Sequence, residues 1–262
     1  MRADLYHRCV VAGLMILLGL PVAATLLYSL ATQWGATILP DGLTPAWYVQ
    51  LWQDARFLSA FVHSLEVCIG TLLIGTLFIV PAAFVVFYRF PGLAKLMNLL
   101  ILVPFAVPPV VSSVGLLQLY ADGPVTLVGT PWILVGCYFT VALPFMYRAL
   151  ANTLGAMNLH DLMDAAHLLG ASTMRAFLMV VLPNLKKSLM ASLFLSFSFL
   201  LGEFVFANML VGTRYETLQV YLYNVRQTSG HFTSAVVLSY FAFTLALTWL
   251  AARLGKSDRG AS

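Results

Sequence analysis

Two carboxylates, Glu66 and Glu203, sit inside long apolar runs of this chain. An ionised side chain at mid-bilayer depth costs about 2.5–3.5 kcal/mol on insertion scales, so such residues turn toward a bundle interior or a cavity and mark a functional site by default. Their chemistry is that of a fixed charge in a translocation path or of a hydrogen-bonded brace between helices. For Glu203 the two readings stand level; for Glu66, close to an interface that water reaches, the brace is favoured. His63 and His167 have no partner at H-x-x-x-H spacing and no local set of ligands, so both are read as non-ligands, and His231 falls at the start of the last apolar run. Cys9, Cys68 and Cys137 are odd in number and lie in apolar sequence, which makes them small hydrophobes rather than a disulfide framework. No G-x-S-x-G elbow, H-E-x-x-H helix or carboxylate cluster is present, and these absences exclude the common routes to an intramembrane enzyme.

The elements that must position these groups follow from composition. Of 262 residues 61% are hydrophobic and 9% charged, whereas soluble domains are about half apolar and a quarter charged; a soluble fold is excluded. A helix needs about 20 apolar residues to cross some 30 Å of hydrocarbon. Six runs qualify, at about 9–31, 59–87, 96–121, 131–151, 187–210 and 232–252, and none has the period-two alternation of a membrane barrel. The expected fold is an all-α membrane protein forming a single transmembrane domain over 1–262. The first run, after Arg2 and Arg8, is longer than a signal-peptide core and is read as a retained helix.

Basic residues fix orientation, since Lys and Arg near span ends stay cytoplasmic. Arg2, Arg8, Arg89, Lys95, Arg148, Arg175, Lys186, Lys187, Arg253, Lys256 and Arg259 fall on one side, against Arg56, Arg214 and Arg226 on the other, so both termini are expected in the cytoplasm. The net charge of +4 is then an orientation signal and not a nucleic-acid surface. Pro21, Pro81, Pro104, Pro108, Pro109 and Pro144 are each expected to bend or break a helix, most of all in the third span. Trp34, Trp47, Tyr48, Trp52, Trp132, Tyr221 and Tyr223 fall in or beside outer segments, as interfacial anchors do. The outer segment 32–58 is too long and apolar for a simple turn and is read as a plug or rim. By helical rise Glu203 stands about 24 Å beyond Lys187, in the outer half of the fifth span.

One cytoplasmic segment, about 158–183, does not have a linker's composition. Leu159, Leu162, Ala166 and Leu169 recur at helical spacing behind a candidate cap, Asn158, and Gly170 can end that helix in a left-handed conformation. Ser172 is placed to cap a second helix with Met174, Phe177, Leu178 and Val181 on its apolar face, and Pro183 is expected to interrupt it. A helix, tight turn and helix facing the cytosol is either a surface-lying amphipathic pair or a docking element for a soluble partner.

The run Asp164-Ala165-Ala166, three residues, Gly170, nine residues, Val180, one residue, Leu182-Pro183 resembles the EAA motif of permease subunits of type I ATP-binding-cassette importers, with Asp for Glu and Val for Ile. The motif precedes the fifth of six spans, where that family carries it, and the likeness covers essentially the whole chain. It implies a coupling helix in which Asp164, Ala165, Ala166, Gly170 and Ser172 meet a cytosolic nucleotide-binding subunit. It also implies two such subunits, a second permease chain, a periplasmic or extracellular substrate-binding protein, and a bacterial inner membrane. The resemblance also gives ATP and Mg to the partner and no cofactor to this chain; in keeping with it, the only Gly-Lys pair, Gly255-Lys256, has Leu250 where a phosphate loop needs its first glycine, so this chain is not expected to hydrolyse ATP by that route. Gly202-Glu203-Phe204 is similar to the triplet of oxyanion and phosphonate permeases, which makes a phosphonate-like solute the first substrate reading and a polyamine the second. The rival is a stand-alone ion-driven transporter or channel, which usually shows buried charges on several spans and repeat symmetry, both missing here.

Overall fold

The apolar runs form helices because a chain in lipid must satisfy every backbone donor and acceptor internally. The computed structural model describes the backbone of residues 2–35, 37, 39–122 and 124–257, and the side chains of these apart from 2–5, 251, 252 and 254–257. Arg259 of the inner-face set lies outside the described residues, as do the side chains of Arg2 and Lys256. Twelve α-helices follow in order: α1 Arg2–Leu30, α2 Ala46–Gln53, α3 Ala55–Arg89, α4 Ala94–Leu100, α5 Val103–Ala106, α6 Pro109–Tyr120, α7 Pro131–Ala156, α8 Leu159–Leu168, α9 Thr173–Ala176, α10 Leu182–Leu201, α11 Leu218–Val225 and α12 Gly230–Ser257. Among the described residues the extended pairing is a single bridge, Ala31 to Leu43. Five segments are long and apolar enough to cross a membrane: Tyr6–Leu30, Ala55–Arg89, Pro131–Ala156, Thr173–Leu201 and Gly230–Leu250. The pair Pro91–Ala106 and Pro109–Tyr120 is apolar enough to make a sixth crossing if it is one broken span, and it turns by 85°.

The prolines divide by their neighbours. Pro21, Pro81 and Pro144 lie inside continuous helices, so of the two expected outcomes, a bend or a break, none of them gives a break. One missing N–H in a helix of 26 to 35 residues leaves the flanking turns intact. Pro104, Pro108 and Pro109 crowd the third span, and there Val107 turns extended (φ −100°, ψ 120°) and the helix breaks.

The chain forms two compact units. The first comprises Met1–Ser59 and Tyr221–Leu245. In it the segment after α1 folds back on the helix end: Thr32 N–H donates to Gly42 O (2.9 Å), Thr44 N–H to Leu30 O (2.6 Å), and the Trp47 indole to Ala31 O (2.9 Å). His231 Nδ1 meets Tyr28 O at 2.8 Å with the two rings 4.2 Å apart. Tyr221, expected as an interfacial anchor, is instead fully buried, and its hydroxyl donates to Asp54 Oδ2 at 2.6 Å. A tyrosine ring buries well once its hydroxyl finds a partner. The second unit comprises Ala60–Val220 and Ala246–Ser262 and holds both features to which the sequence pointed.

Candidate functional site

The segment 158–183 ends its first helix in a Schellman motif. Gly170 N–H donates to His167 O (2.9 Å) and Ala171 N–H to Ala166 O (3.0 Å), with Gly170 at φ +82°, the paired closure that needs a left-handed residue just past the helix. A Cβ added at Gly170 would meet nothing within 4 Å, so the glycine is required by the backbone conformation and not by space. Ser172 then caps the next helix, its Oγ accepting from Arg175 N–H at 3.4 Å. Asn158 precedes α8 without a side-chain cap bond; at ψ 72° it enters the helix through a turn in which Leu159 N–H donates to Met157 O.

Leu159, Met163 and Ala166 bury one face of α8, and Phe177 and Val181 bury the corresponding face beyond the corner. Small size at Ala166 therefore serves packing within the chain, while Asp164, Ala165 and Gly170 are exposed. The apolar face drawn from the sequence is displaced at its end, because Leu168 and Leu169 are 89% and 90% exposed at the tip of the corner. The segment rests on the end of α3 through Phe84 against Phe177 (4.6 Å between ring centroids) and Tyr88 against His160 (5.5 Å).

Pro183 does not interrupt the second helix. Thr173–Leu201 runs through as one 29-residue segment, about 43 Å long at 1.5 Å per residue. The missing donor is absorbed by a π-turn over Phe177–Val181, in which Leu182 N–H reaches back five residues to Phe177 O. The Asn184 amide donates to Val180 O at 2.8 Å, filling another carbonyl there. The rod ends at Leu201, short of the expected 210, and Gly202–Phe204 forms a non-helical break before a short helical stretch that closes in a π-turn, Ala207–Val211. Glu203 sits in that break. Its Oε1 accepts from Phe206 N–H (3.0 Å) and its Oε2 from Ala207 N–H (3.3 Å), so the carboxylate caps the first turn after the break.

Both helix breaks, at Val107 and at Gly202–Phe204, line one cavity of about 1170 Å³, together with residues of α6 and α7. Glu203 is on its wall; Glu66 is not. Glu66 is exposed on α3 and accepts from the Tyr215 hydroxyl at 2.7 Å. Its neighbours His63 and Ser64 hold the same segment 215–218, His63 by Nδ1 to Glu216 O (3.1 Å) and by stacking on Tyr215 (4.1 Å), Ser64 by accepting from Leu218 N–H (2.8 Å). Burial, then the hydrogen bond and the negative charge of Glu66, push the Tyr215 phenol above the usual tyrosine range. Trp132, assigned to an interfacial belt, lines the cavity. Beyond the crowded prolines and Glu203, the cavity had no signal in the sequence.

Long apolar helices, a bent helix pair and an exposed helical corner define a polytopic membrane protein. Residues 75–259 match the family model described as "Binding-protein-dependent transport system inner membrane component". The chain belongs to that family and is a permease subunit of a type I ATP-binding-cassette importer, a membrane component that is not itself catalytic. It is 28% identical, over 90% of its length and 89% of the relative's, to the putative 2-aminoethylphosphonate transport system permease protein PhnV of Salmonella typhimurium. It is 27% identical, over 71% of its length and 69% of the relative's, to the spermidine/putrescine transport system permease protein PotC of Escherichia coli. Its fold is that of a chain in the crystal structure of a bacterial importer of the acidic polysaccharide alginate, with a TM-score of 0.70 at 15% identity over 98% of each chain.

Proposed function

We propose that this chain forms half of the translocation path for a small polar solute and alternates between inward and outward access as a separate subunit binds and hydrolyses ATP. The observation that carries the reading is the rod Thr173–Leu201, whose first residue follows the Gly170 corner and whose last precedes the Glu203 break in the cavity wall. A helix of that length transmits displacement, so a push at the corner reaches the cavity. Two almost fully exposed leucines at the corner outside any span need a cover, since apolar surface held in water at a fixed place is what a partner's groove buries.

In this reading Asp164, Ala165, Gly170 and Ser172 meet a nucleotide-binding subunit, of which there are two, and Ala166 keeps the corner's shape from within. A second permease, a homologue, closes the path, and a binding protein delivers solute on the outer side. The relatives support a phosphonate-like solute first and a polyamine second, being named for 2-aminoethylphosphonate and for spermidine and putrescine. The test is Gly170→Val in the reconstituted complex. A β-branched residue in the left-handed region costs about 1–2 kcal/mol and shifts the corner, so ATP-driven uptake falls while the chain still inserts. Normal solute-stimulated ATPase and uptake in that variant would sink the assignment.

A further inference from the structure

We infer that Glu203 and the aromatic wall of its cavity read the primary ammonium group of a short alkylamine; this rests on the reading of the chain as half of a solute path. Three observations converge on that chemistry. First, Glu203 is the one ionisable acid on the wall, and among the described residues no Lys, Arg or His lines the cavity. An anion entering it meets a carboxylate and no basic side chain of this subunit, whereas a cation meets an unopposed negative charge.

Second, the carboxylate is fixed on the cavity wall. Its Oε1 accepts from Phe206 N–H and its Oε2 from Ala207 N–H. The cap thus holds the charge-bearing group in one place beside the space an ammonium would enter. Third, the rings of Phe105, Tyr120, Trp132, Phe199 and Phe204 line the same space. Aromatic faces attract ammonium cations and tolerate the methylenes behind them, while Ser112 and Ser198, also on the wall, offer hydroxyls to a polar tail. The named relatives transport an aminoalkylphosphonate or polyamines. What those solutes share is an amine on a short alkyl chain, so the site reads the amine and leaves the other end to the rest of the path.

The test is equilibrium binding to the permease–ATPase complex in lipid nanodiscs, with putrescine, 2-aminoethylphosphonate and ethylphosphonate as probes. At least one amine binds, and ethylphosphonate binds at least about tenfold more weakly than the tighter-binding of the two amines, the range set by a hydrogen bond to a charged group. Putrescine alone binding marks a polyamine site, and 2-aminoethylphosphonate binding tighter marks an aminophosphonate site. Glu203→Gln, which keeps one cap acceptor, weakens the amines by about tenfold. Trp132→Leu, which leaves the cap untouched, weakens them by about threefold, as loss of one cation–π partner requires. Ethylphosphonate binding as tightly as the amines, amine binding unchanged in both variants, or no binding of either amine overturns the proposal. Failure of the path reading shows separately, as a complex whose ATP hydrolysis drives no solute uptake, and the binding measurements report on Glu203 in either event.

Discussion

A single backbone angle, φ +82° at Gly170, closes the corner between α8 and α9, and the empty space around that residue separates conformation from packing as the cause of any defect there. Asparagine enters the left-handed region at less cost than other non-glycine residues, so Gly170→Asn should keep more uptake than Gly170→Val although its side chain carries one more heavy atom. Equal losses in uptake assays would mean that bulk, and hence a partner's surface, decides the position. At the outer segment, Tyr215→Phe removes the donor to Glu66 and should lower stability by about 1 kcal/mol, read as a lower melting temperature in detergent, whereas Glu66→Gln keeps an acceptor and should leave uptake unchanged. A large uptake defect in Glu66→Gln would return that acid to the path. The Tyr215 phenol is raised above its unfolded value; its contribution to stability is therefore full below about pH 10 and is lost as pH rises beyond it. Gly170 and Ser172 were legible in the sequence because their roles are local, set by residues one to three positions away. Ala166 and Tyr221 were not, because what decides them is a neighbour distant in sequence: Phe177 and Val181 share the buried face with Ala166, and Asp54 accepts from Tyr221.

Proline spacing is the element-scale signal, and it was legible only where prolines crowd. Three within six residues break the third crossing by 85°, as the sequence suggested, but the isolated prolines pass through continuous helices. The fifth span was the least legible. Lys186 and Lys187 mark a hydropathy boundary in mid-helix, so the apolar run begins at 187 while the helix begins at Thr173. Its far end fell at Gly202 because Glu203 supplies the cap for the next turn, a side-chain event that hydropathy does not register. The π-turn at Phe177–Val181 makes a separate prediction. A π-turn carries one extra residue, equivalent to about 100° of helical rotation, so it sets which way the corner faces relative to α10. Pro183→Ala restores a donor that favours a regular helix and should turn the corner relative to the rod. ATP-driven uptake should fall severalfold with insertion intact, and Asn184→Ala, which removes the amide from Val180 O, should shift it in the same direction by less. Unchanged uptake in Pro183→Ala would show that the π-turn survives without the proline or that the corner's facing does not matter.

For the whole chain, the charge count carries a statement about sides that the fold alone does not make. Eleven of the fourteen Lys and Arg fall on one set of alternate segments, and positive residues near span ends remain cytoplasmic. Exposed Leu169 at the corner and exposed Thr213 beyond α10 lie at opposite ends of one membrane crossing. With Cys9, Cys68 and Cys137 replaced by alanine, a single cysteine at Leu169 should react with a membrane-impermeant maleimide only in inside-out vesicles, and one at Thr213 only in right-side-out vesicles. The same preparation addresses the helix that the fold leaves uncovered. The apolar window of Tyr6–Leu30 is 0% buried within the chain, so in the assembled importer it is covered by lipid or by another subunit. A cysteine at Leu18, 70% exposed on α1, should crosslink to a second permease if that chain covers the helix. A Leu18 cysteine left uncrosslinked in an otherwise active complex would place the helix against lipid. Labelling of Leu169 from outside would be the graver result, because it would put the corner on the side away from any cytosolic ATPase and remove the physical basis of the coupling.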